Sequence, residues 1–481
     1  MWKCPLCDTI NTEQLLCTGC GFDERKNYER YRSLSPLTRK IREQYTDSVC
    51  GSDFCCDRGD TFYLNHDYDR AIHWYRQAIQ KGSADGKQKL GRCLCRLGDD
   101  HYFGRGVKKD YLEAVSLYRQ AAGYGNTDAQ YNLGKCCYFG RGVPENRTEA
   151  VKYYTQAAEG GNALAQYDLG VCRAEGVGCD QSDAEAARWF DLSAKQGSSA
   201  AQYRLGDCYL RGAGVSQDDT EAARLFRQSA NKGNLQAQKA LGDCYYYGRG
   251  IAEDYEKAAK LYQKAADRGN ISAQVQLAEC YRYGRGVPVD HEETLKRYRL
   301  AADQGDPEAL CGLAACYRYG YGVPVDHIKE KGYLLGAAGQ GNTEALFALI
   351  EMADHYFAGT DVPRDYQEAL RLYRVGAMHN IPEAQMKLAG CYYYGKGTDV
   401  NYNEAFRFYS LAADQVPKAN LMLAICCKDG RGVKQDTDKA LFYVNRIPTS
   451  CESDLLQQAQ QLQKELTKEA QAPSWKFWKK R

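Results

Sequence analysis

The chain has 481 residues, with 64 Lys and Arg against 62 Asp and Glu for a formal net charge of +2. That balance gives no overall attraction to nucleic acid or to an anionic membrane, and no apolar run approaches the roughly 20 residues that cross a bilayer. The amino terminus, MWKCPLC, lacks the apolar stretch of a signal peptide.

Residues 1–22 hold two CxxC pairs, Cys4 with Cys7 and Cys17 with Cys20, with nine residues between the pairs. Four thiolates so spaced can close a tetrahedral site, so a structural zinc on Cys4, Cys7, Cys17 and Cys20 is expected. Four cysteines leave no open coordination position for catalysis, and a redox dithiol would need a βαβ context that the sequence lacks. The segment resembles the small zinc-ribbon modules at the N-termini of bacterial proteins. Residues 23–46 mix both charge signs and read as a solvated linker, with a short helix beginning at Ser35-Pro36.

A helical repeat begins near Asp47 in a degenerate form, where Ala71, Trp74, Tyr75 and Ala78 make an apolar stripe. From Gly104 it becomes regular. Gly104, Gly140, Gly176, Gly212, Gly248, Gly284 and Gly320 are each 36 residues apart, as are Gly106 through Gly322. A fixed period of this length marks a solenoid. Asp110, Asn146, Ser182, Asp218, Asp254, Asp290 and Asp326 are all strong N-cap residues, and in five of these units a Glu follows three residues later. This spacing predicts a capping box, with the Glu reaching back to the cap's own N–H. The helix after Asp254 carries Ala258, Leu261, Tyr262, Ala265 and Ala266 on one face and stops at Gly269, suited to a left-handed C-cap. A second helix follows Asn270, with Ala273, Leu277, Cys280 and Tyr281 on one face. Each hairpin is too small to bury its own apolar face, so stacking completes the core.

Two helices are lengthened. Gly82 to Gly104 spans 22 residues and Gly341 to Gly359 spans 18, against 15 for Gly125 to Gly140. The excesses are close to two turns and one turn, which keeps the apolar face aligned. Both end in the same four residues, Asp100-His101-Tyr102-Phe103 and Asp354-His355-Tyr356-Phe357, read as a helix-end hydrogen bond from the His. The period slips to 35 at Gly430, and residues 453–470 form a last helix with Leu455, Ala459, Leu462 and Leu466 on one face. A terminal helix with a polar outer face caps a solenoid. The tail SWKFWKKR mixes three aromatics with four cations and reads as frayed or back-folded, with a membrane interface or a partner's groove as its alternative uses.

The segment AAKLYQKAADRGNISAQVQLAECYRYGRGV resembles the Sel-one-like repeat (SLR) family, a relative of the tetratricopeptide repeat, and the likeness covers most of the chain. The resemblance and the pattern together predict an all-α, right-handed solenoid of about eleven helical hairpins with an N-terminal zinc ribbon. Its parts are a ribbon at 1–22, a linker at 23–46, a solenoid at 47–448, a capping helix at 449–470 and a basic aromatic tail at 471–481. Secreted members of the family bridge two Cys per unit. Here Cys136, Cys172, Cys208, Cys244, Cys280 and Cys316 recur once per unit, so the repeat cysteines read as small buried hydrophobes in a reducing compartment, the cytoplasm, rather than as a disulfide scaffold. A bacterial source rests on the resemblance alone.

Catalytic constellations are sparse. Some family members are catalogued as β-lactamases, yet the one Ser-x-x-Lys, Ser229 to Lys232, has neither Ser-Asp-Asn nor Lys-Thr-Gly beside it. There is no HExxH and no phosphate-binding loop. The recurring Tyr-x-Tyr-Gly-Arg-Gly ends (Tyr245, Tyr247 and Arg249; Tyr281, Tyr283 and Arg285) combine hot-spot residue types, but residues repeated in every unit point to the joint between units. By resemblance, the helix with the recurring Ala and Leu lines a concave groove. Positions between those fixed residues vary, and Asp168, Arg204, Asp207 and Asp243 are the expected partner contacts. Polar helix faces otherwise serve only to stay solvated. The expected function is a non-enzymatic scaffold that binds a protein or peptide segment in this groove, with no small-molecule substrate. The alternatives are a hydrolase of β-lactam or peptidoglycan chemistry and a zinc-ribbon adaptor on nucleic acid.

Overall fold

A short polar side chain opens most of the helices. The structure, a computed structural model, describes residues 2–3, 10–11, 51–360 and 362–470. Cys4, Cys7, Cys17 and Cys20, the linker and the tail lie outside those residues, and with them the expected zinc site. Trp2–Lys3 pairs antiparallel with Ile10–Asn11, Trp2 opposite Asn11. Among the described residues the remaining elements are 23 helices, from Ser52–Leu64 to Ser453–Ala470. They pack into two units, residues 1–253 and 254–481, and within each unit consecutive helices lie against one another.

In each repeat a leading helix, such as Tyr111–Gly123, is followed by a trailing helix, such as Thr127–Phe139. The N-cap of a leading helix satisfies donors that would otherwise be orphaned. Asp218 Oδ1 accepts from the backbone N–H of both Thr220 and Glu221 at 3.0 Å, and Asp290 and Asp326 do the same. The capping box is not reciprocal. The cap's own N–H donates instead to a carbonyl near the end of the preceding trailing helix: Asp110 to His101, Asn146 to Cys137, Asp218 to Tyr209. The turn brings that carbonyl onto the cap, so the Glu is released to pair elsewhere, Glu221 with Arg224 and Glu293 with Lys296 and Arg297.

Trailing helices end at a glycine in the left-handed region, Gly140 at φ 64° and Gly212 at φ 69°. The second turn glycine is needed for two reasons. Gly214 has φ 72°, and a β-carbon there would stand 2.1 Å from the Asp183 carbonyl oxygen, which begins the preceding leading helix.

Each trailing helix meets the next leading helix through a ring laid on a small residue. β-Carbons on Gly98, Gly134, Gly170 and Gly206 would stand 2.5–2.7 Å from the nearest ring atoms of Tyr118, Tyr154, Phe190 and Phe226. In the second unit Ala278, Ala353 and Ala389 occupy the equivalent position, in core clusters shared with Tyr298, Tyr373 and Tyr409. At three of these joints an acid beside the small residue accepts the Tyr hydroxyl: Asp99 from Tyr118 at 2.8 Å, Glu279 from Tyr298, and Asp354 from Tyr373 at 2.6 Å.

In five hairpins a buried amide joins the leading helix to its own trailing helix. Gln166, Gln202, Gln238, Gln274 and Gln385 donate to the carbonyls of Ala158, Ala194, Ala230, Ala266 and Ala377. These are C-terminal carbonyls that the helix itself leaves open. The recurring cysteines are free, and most are buried. The last helix, Ser453–Ala470, buries Ala459, Leu462 and Leu466 against Leu421, Ala424 and Val444.

Two outcomes follow from this packing. Gly170→Ala should lower stability by about 1–3 kcal/mol, because the Phe190 ring must move. Gly332→Ala, in an exposed helix interior with nothing within 4 Å of the new carbon, should raise it by about 0.5–1 kcal/mol. Urea midpoints of the two variants check both signs. Burial also pushes the thiols of Cys93, Cys136 and Cys280 from 9.0 up to about 12. The unfolded chain then loses these protons first as pH rises, so their contribution is complete below pH 9 and is lost between pH 9 and 12. The urea midpoint should be level up to that window and fall within it, by up to about 1.4 kcal/mol per pH unit for each thiol. A midpoint unchanged across the window would contradict the burial argument.

Candidate functional site

The four expected partner contacts lie on trailing helices of the first unit: Asp168 on Ala163–Glu175, Arg204 and Asp207 on Ser199–Arg211, and Asp243 on Leu235–Tyr247. All four are half-buried, and each has a partner in the fold. Asp168 accepts the Tyr131 hydroxyl at 2.9 Å. Burial pushes its carboxyl above the usual range, against the opposing pull of Tyr131 and Lys135. The Arg204 guanidinium stands 3.6 Å from Glu175 and lies over the Phe190 ring, 5.5 Å from its centre. Asp207 pairs with Arg211 at 3.0 Å, and Asp243 with Lys239 at 2.8 Å, each within one helix. Asp168 and Arg204 therefore tie neighbouring repeats together, as do Asn132 to Asp99 at 3.0 Å and Lys387 to Asp354 at 2.6 Å. Asp207 is held by a local pair within its own helix.

The turn edge divides its residues between two tasks. The last ring before the glycine is exposed: Phe103, Phe139 and Tyr247 in the first unit, and Tyr283, Tyr319 and Tyr394 in the second, at 53–62%. The ring one residue earlier is buried at Tyr102, Tyr246 and Tyr393. The turn Arg covers the exposed ring, Arg105 over Phe103 at 4.6 Å and Arg249 over Tyr247 at 5.4 Å. It also reaches back to the joint, where Arg141 donates to the Tyr102 hydroxyl and Arg431 to that of Tyr393. The Arg thus serves the joint, while the terminal ring is left to solvent.

Each lengthened helix borders a cleft. In the first unit, Arg96 and Asp100 of the helix Ala84–Phe103 face His66, Tyr68 and Arg105 across about 640 Å³, and His66 Nδ1 lies 2.8 Å from the Tyr68 hydroxyl. In the second unit, Met352 and Tyr356 of the helix Thr343–Ala358 face Arg318, Tyr319, His327 and Glu330 across about 320 Å³. Glu330 is 3% exposed. Its carboxylate meets His327 Nδ1 at 2.7 Å and stands 3.6 Å from Arg318 Nε. The two matching His differ: His355 Nδ1 meets the Thr360 hydroxyl at 3.1 Å at the helix end, whereas His101 Nδ1 is buried with no partner among the described residues. No group of three metal-ligating side chains occurs among the described residues.

The one Ser-x-x-Lys is bound up in joints. The buried Ser229 hydroxyl donates to the Ser199 carbonyl at 2.6 Å and Lys232 to the Gly197 carbonyl at 2.7 Å, so each side chain is committed to the preceding repeat. No helix among the described residues is long and apolar enough to cross a membrane.

With the geometry in hand, the chain was compared with known proteins. The Sel1 repeat family model matches eleven times, at residues 51–83, 91–123, 127–162, 163–198, 199–234, 235–270, 271–306, 307–335, 346–380, 382–416 and 417–446. A protective antigen of uropathogenic Escherichia coli strains, described as displaying an SLR fold, is 26% identical, with a TM-score of 0.57 over 90% of this chain and 95% of that one. A Sel1 repeat protein from Oxalobacter formigenes is 30% identical over 51% of this chain and 96% of its own, with a TM-score of 0.43.

Proposed function

Because this chain belongs to the Sel1 repeat family, we propose that it is a non-enzymatic scaffold that binds a protein or peptide segment along its trailing helices. The observation that carries this reading is the row of exposed rings, each at one repeat's turn and several covered by Arg. Aromatic and Arg side chains presented together are the favoured composition of binding hot spots, and a solenoid presents them at regular intervals. Asp207 supports a polar contact on the trailing helices, because its pair with Arg211 is a local surface pair worth only about 0.3–0.5 kcal/mol. A partner cation can replace Arg211 at little cost, with Asp243 on the next trailing helix as a further proposed contact. Asp168 and Arg204 complete the proposed contact while also holding their repeats together. The commitments of Ser229 and Lys232 speak against hydrolase chemistry.

The reading includes a structural zinc on Cys4, Cys7, Cys17 and Cys20. Four thiolates suit a closed tetrahedral site, and the pairing of Trp2–Lys3 with Ile10–Asn11 brackets Cys4 and Cys7 in sequence as a metal knuckle requires. It also includes a cytoplasmic setting, supported by the free thiols among the described residues, and a bacterial source, supported by the bacterial relatives.

Reversing Arg204, Asp207 and Asp243 together (to Glu, Lys and Lys) should keep helicity and lose partners that the unaltered chain captures from its native cell. A folded triple variant that keeps every partner would rule out the groove. Metal analysis of the purified full chain should find one zinc per chain, lost on Cys4→Ser with Cys7→Ser. A chain that stays metal-free when refolded with zinc would remove the ribbon from the reading.

A further inference from the structure

Three consecutive trailing helices of the second unit, Pro307–Tyr319, Thr343–Ala358 and Pro382–Tyr394, differ from the others on their open face. Their second residues are Glu308, Glu344 and Glu383, and three residues further on come Cys311, Phe347 and Met386. Positions three apart lie on one side of a helix, so an acidic row runs beside an apolar row. The matching residues of the first unit are Asp128, Leu164 and Ala200 in one row and Tyr131, Tyr167 and Tyr203 in the other. All three Glu are exposed, Cys311 and Met386 are half-buried, and Phe347 is 53% exposed.

The chain's own cations are committed elsewhere. On these helices Arg318 goes to Glu330 and Glu351, and Lys387 to Asp354 and Glu383. On the leading helices between them, Lys329 pairs with Asp326, Lys331 and Arg371 with Glu368, and Arg374 donates to the Tyr392 hydroxyl. Glu308 and Glu344 have no ion pair among the described residues. Both stand close to one thiol: burial first, then Glu344 and Glu308, push Cys311 from 9.0 up to about 11.

Phe347 is equally bare. Phe103, Phe139 and Phe442 are exposed too, but each has an Arg of the chain over its ring: Arg105, Arg141 and Arg446. No ring or cation of the described residues lies against Phe347. A lone exposed Phe or a solvated Glu would need no explanation. Here an uncovered ring and an unpaired carboxylate, Phe347 and Glu344, share one side of one helix, with a second unpaired carboxylate on the helix before.

We propose that this face takes an apolar segment of the partner that bears Lys or Arg. Its apolar side chains lie on Phe347 and Met386. Its cations meet Glu344 and Glu308 and cover the Phe347 ring, as the chain's own Arg105 covers Phe103. The proposal deepens the scaffold reading and rests on it for the partner. It places the apolar, cation-seeking part of the groove in the second unit, on three repeats that depart from the rest.

The test uses the full chain labelled at its methionine methyl groups, of which there are 5. The probes are nonapeptides built from three Lys-Leu-Ala, Glu-Leu-Ala or Lys-Ser-Ala triplets. The Met386 methyl resonance should shift saturably with the Lys-Leu-Ala peptide, not with its Glu counterpart, and several fold more weakly with the Ser one. Glu308→Gln with Glu344→Gln should weaken binding about threefold or more and flatten its salt dependence. Phe347→Ala should weaken it several fold. All three side chains are exposed, so both variants keep the core. No saturable shift at Met386, equal binding of the Glu or Ser peptide, or full affinity in either variant would overturn the proposal. The charge-reversal capture experiment alters only first-unit residues, so a failure there and a failure here are told apart.

Discussion

The contact on which the rest of this protein depends is an aromatic ring resting on a residue too small to push it away. Gly98, Gly134, Gly170 and Gly206 leave no room for even one carbon beneath Tyr118, Tyr154, Phe190 and Phe226. That lets trailing and leading helices approach closely enough to bury a whole ring, worth about 1.5–3 kcal/mol each. The same contact sets the polar chemistry beside it. At some joints a ring carried this deep also delivers its hydroxyl to an acid next to the small residue, as Tyr118 does to Asp99 and Tyr373 to Asp354. Burial and hydrogen bonding are thus met by one pair of positions.

Much of this was legible because backbone requirements leave local marks. N-cap residues, left-handed glycines and the period itself are each set by a few adjacent residues, and the structure has them at Asp218, Gly212 and in most of the matched repeats. The capping box was only half legible. The spacing of Glu221 from Asp218 is right, but the competing carbonyl of Tyr209 reaches the cap only after the turn has closed. The Gln column was visible as a recurring Ala-Gln, yet its role depends on the end of a neighbouring helix. The candidate site follows the same rule. That Asp168 and Arg204 share a partly open face could be read from helical spacing. Their partners Tyr131 and Glu175 come from the preceding repeat, so whether each residue was free could not. Glu330 sits in a charged run that gives no sign of its burial.

The turns show how a repeat protein serves fold and surface with one motif. Arg141 reaches back to Tyr102 for the joint, while Phe139, two residues before it, is left to solvent. Identical joints carry no information about a partner, so specificity has to come from departures. The departures here are the two lengthened helices, each with a cleft beside it, and the polar positions that change from one trailing helix to the next.

The second turn glycine has a consequence for how such a chain changes over generations. Gly214 touches the backbone that begins the preceding leading helix and asks nothing of any more distant repeat. A duplicated or deleted stretch of one full period therefore leaves every joint with its proper counterpart, wherever the cut falls. A shift of one or two residues would turn the ring away from its small neighbour. The helices Ala84–Phe103 and Thr343–Ala358 have 20 and 16 residues against the usual 13, excesses close to two turns and one turn that keep the apolar face aligned. The molecule can gain or shed copies while its clefts diverge independently.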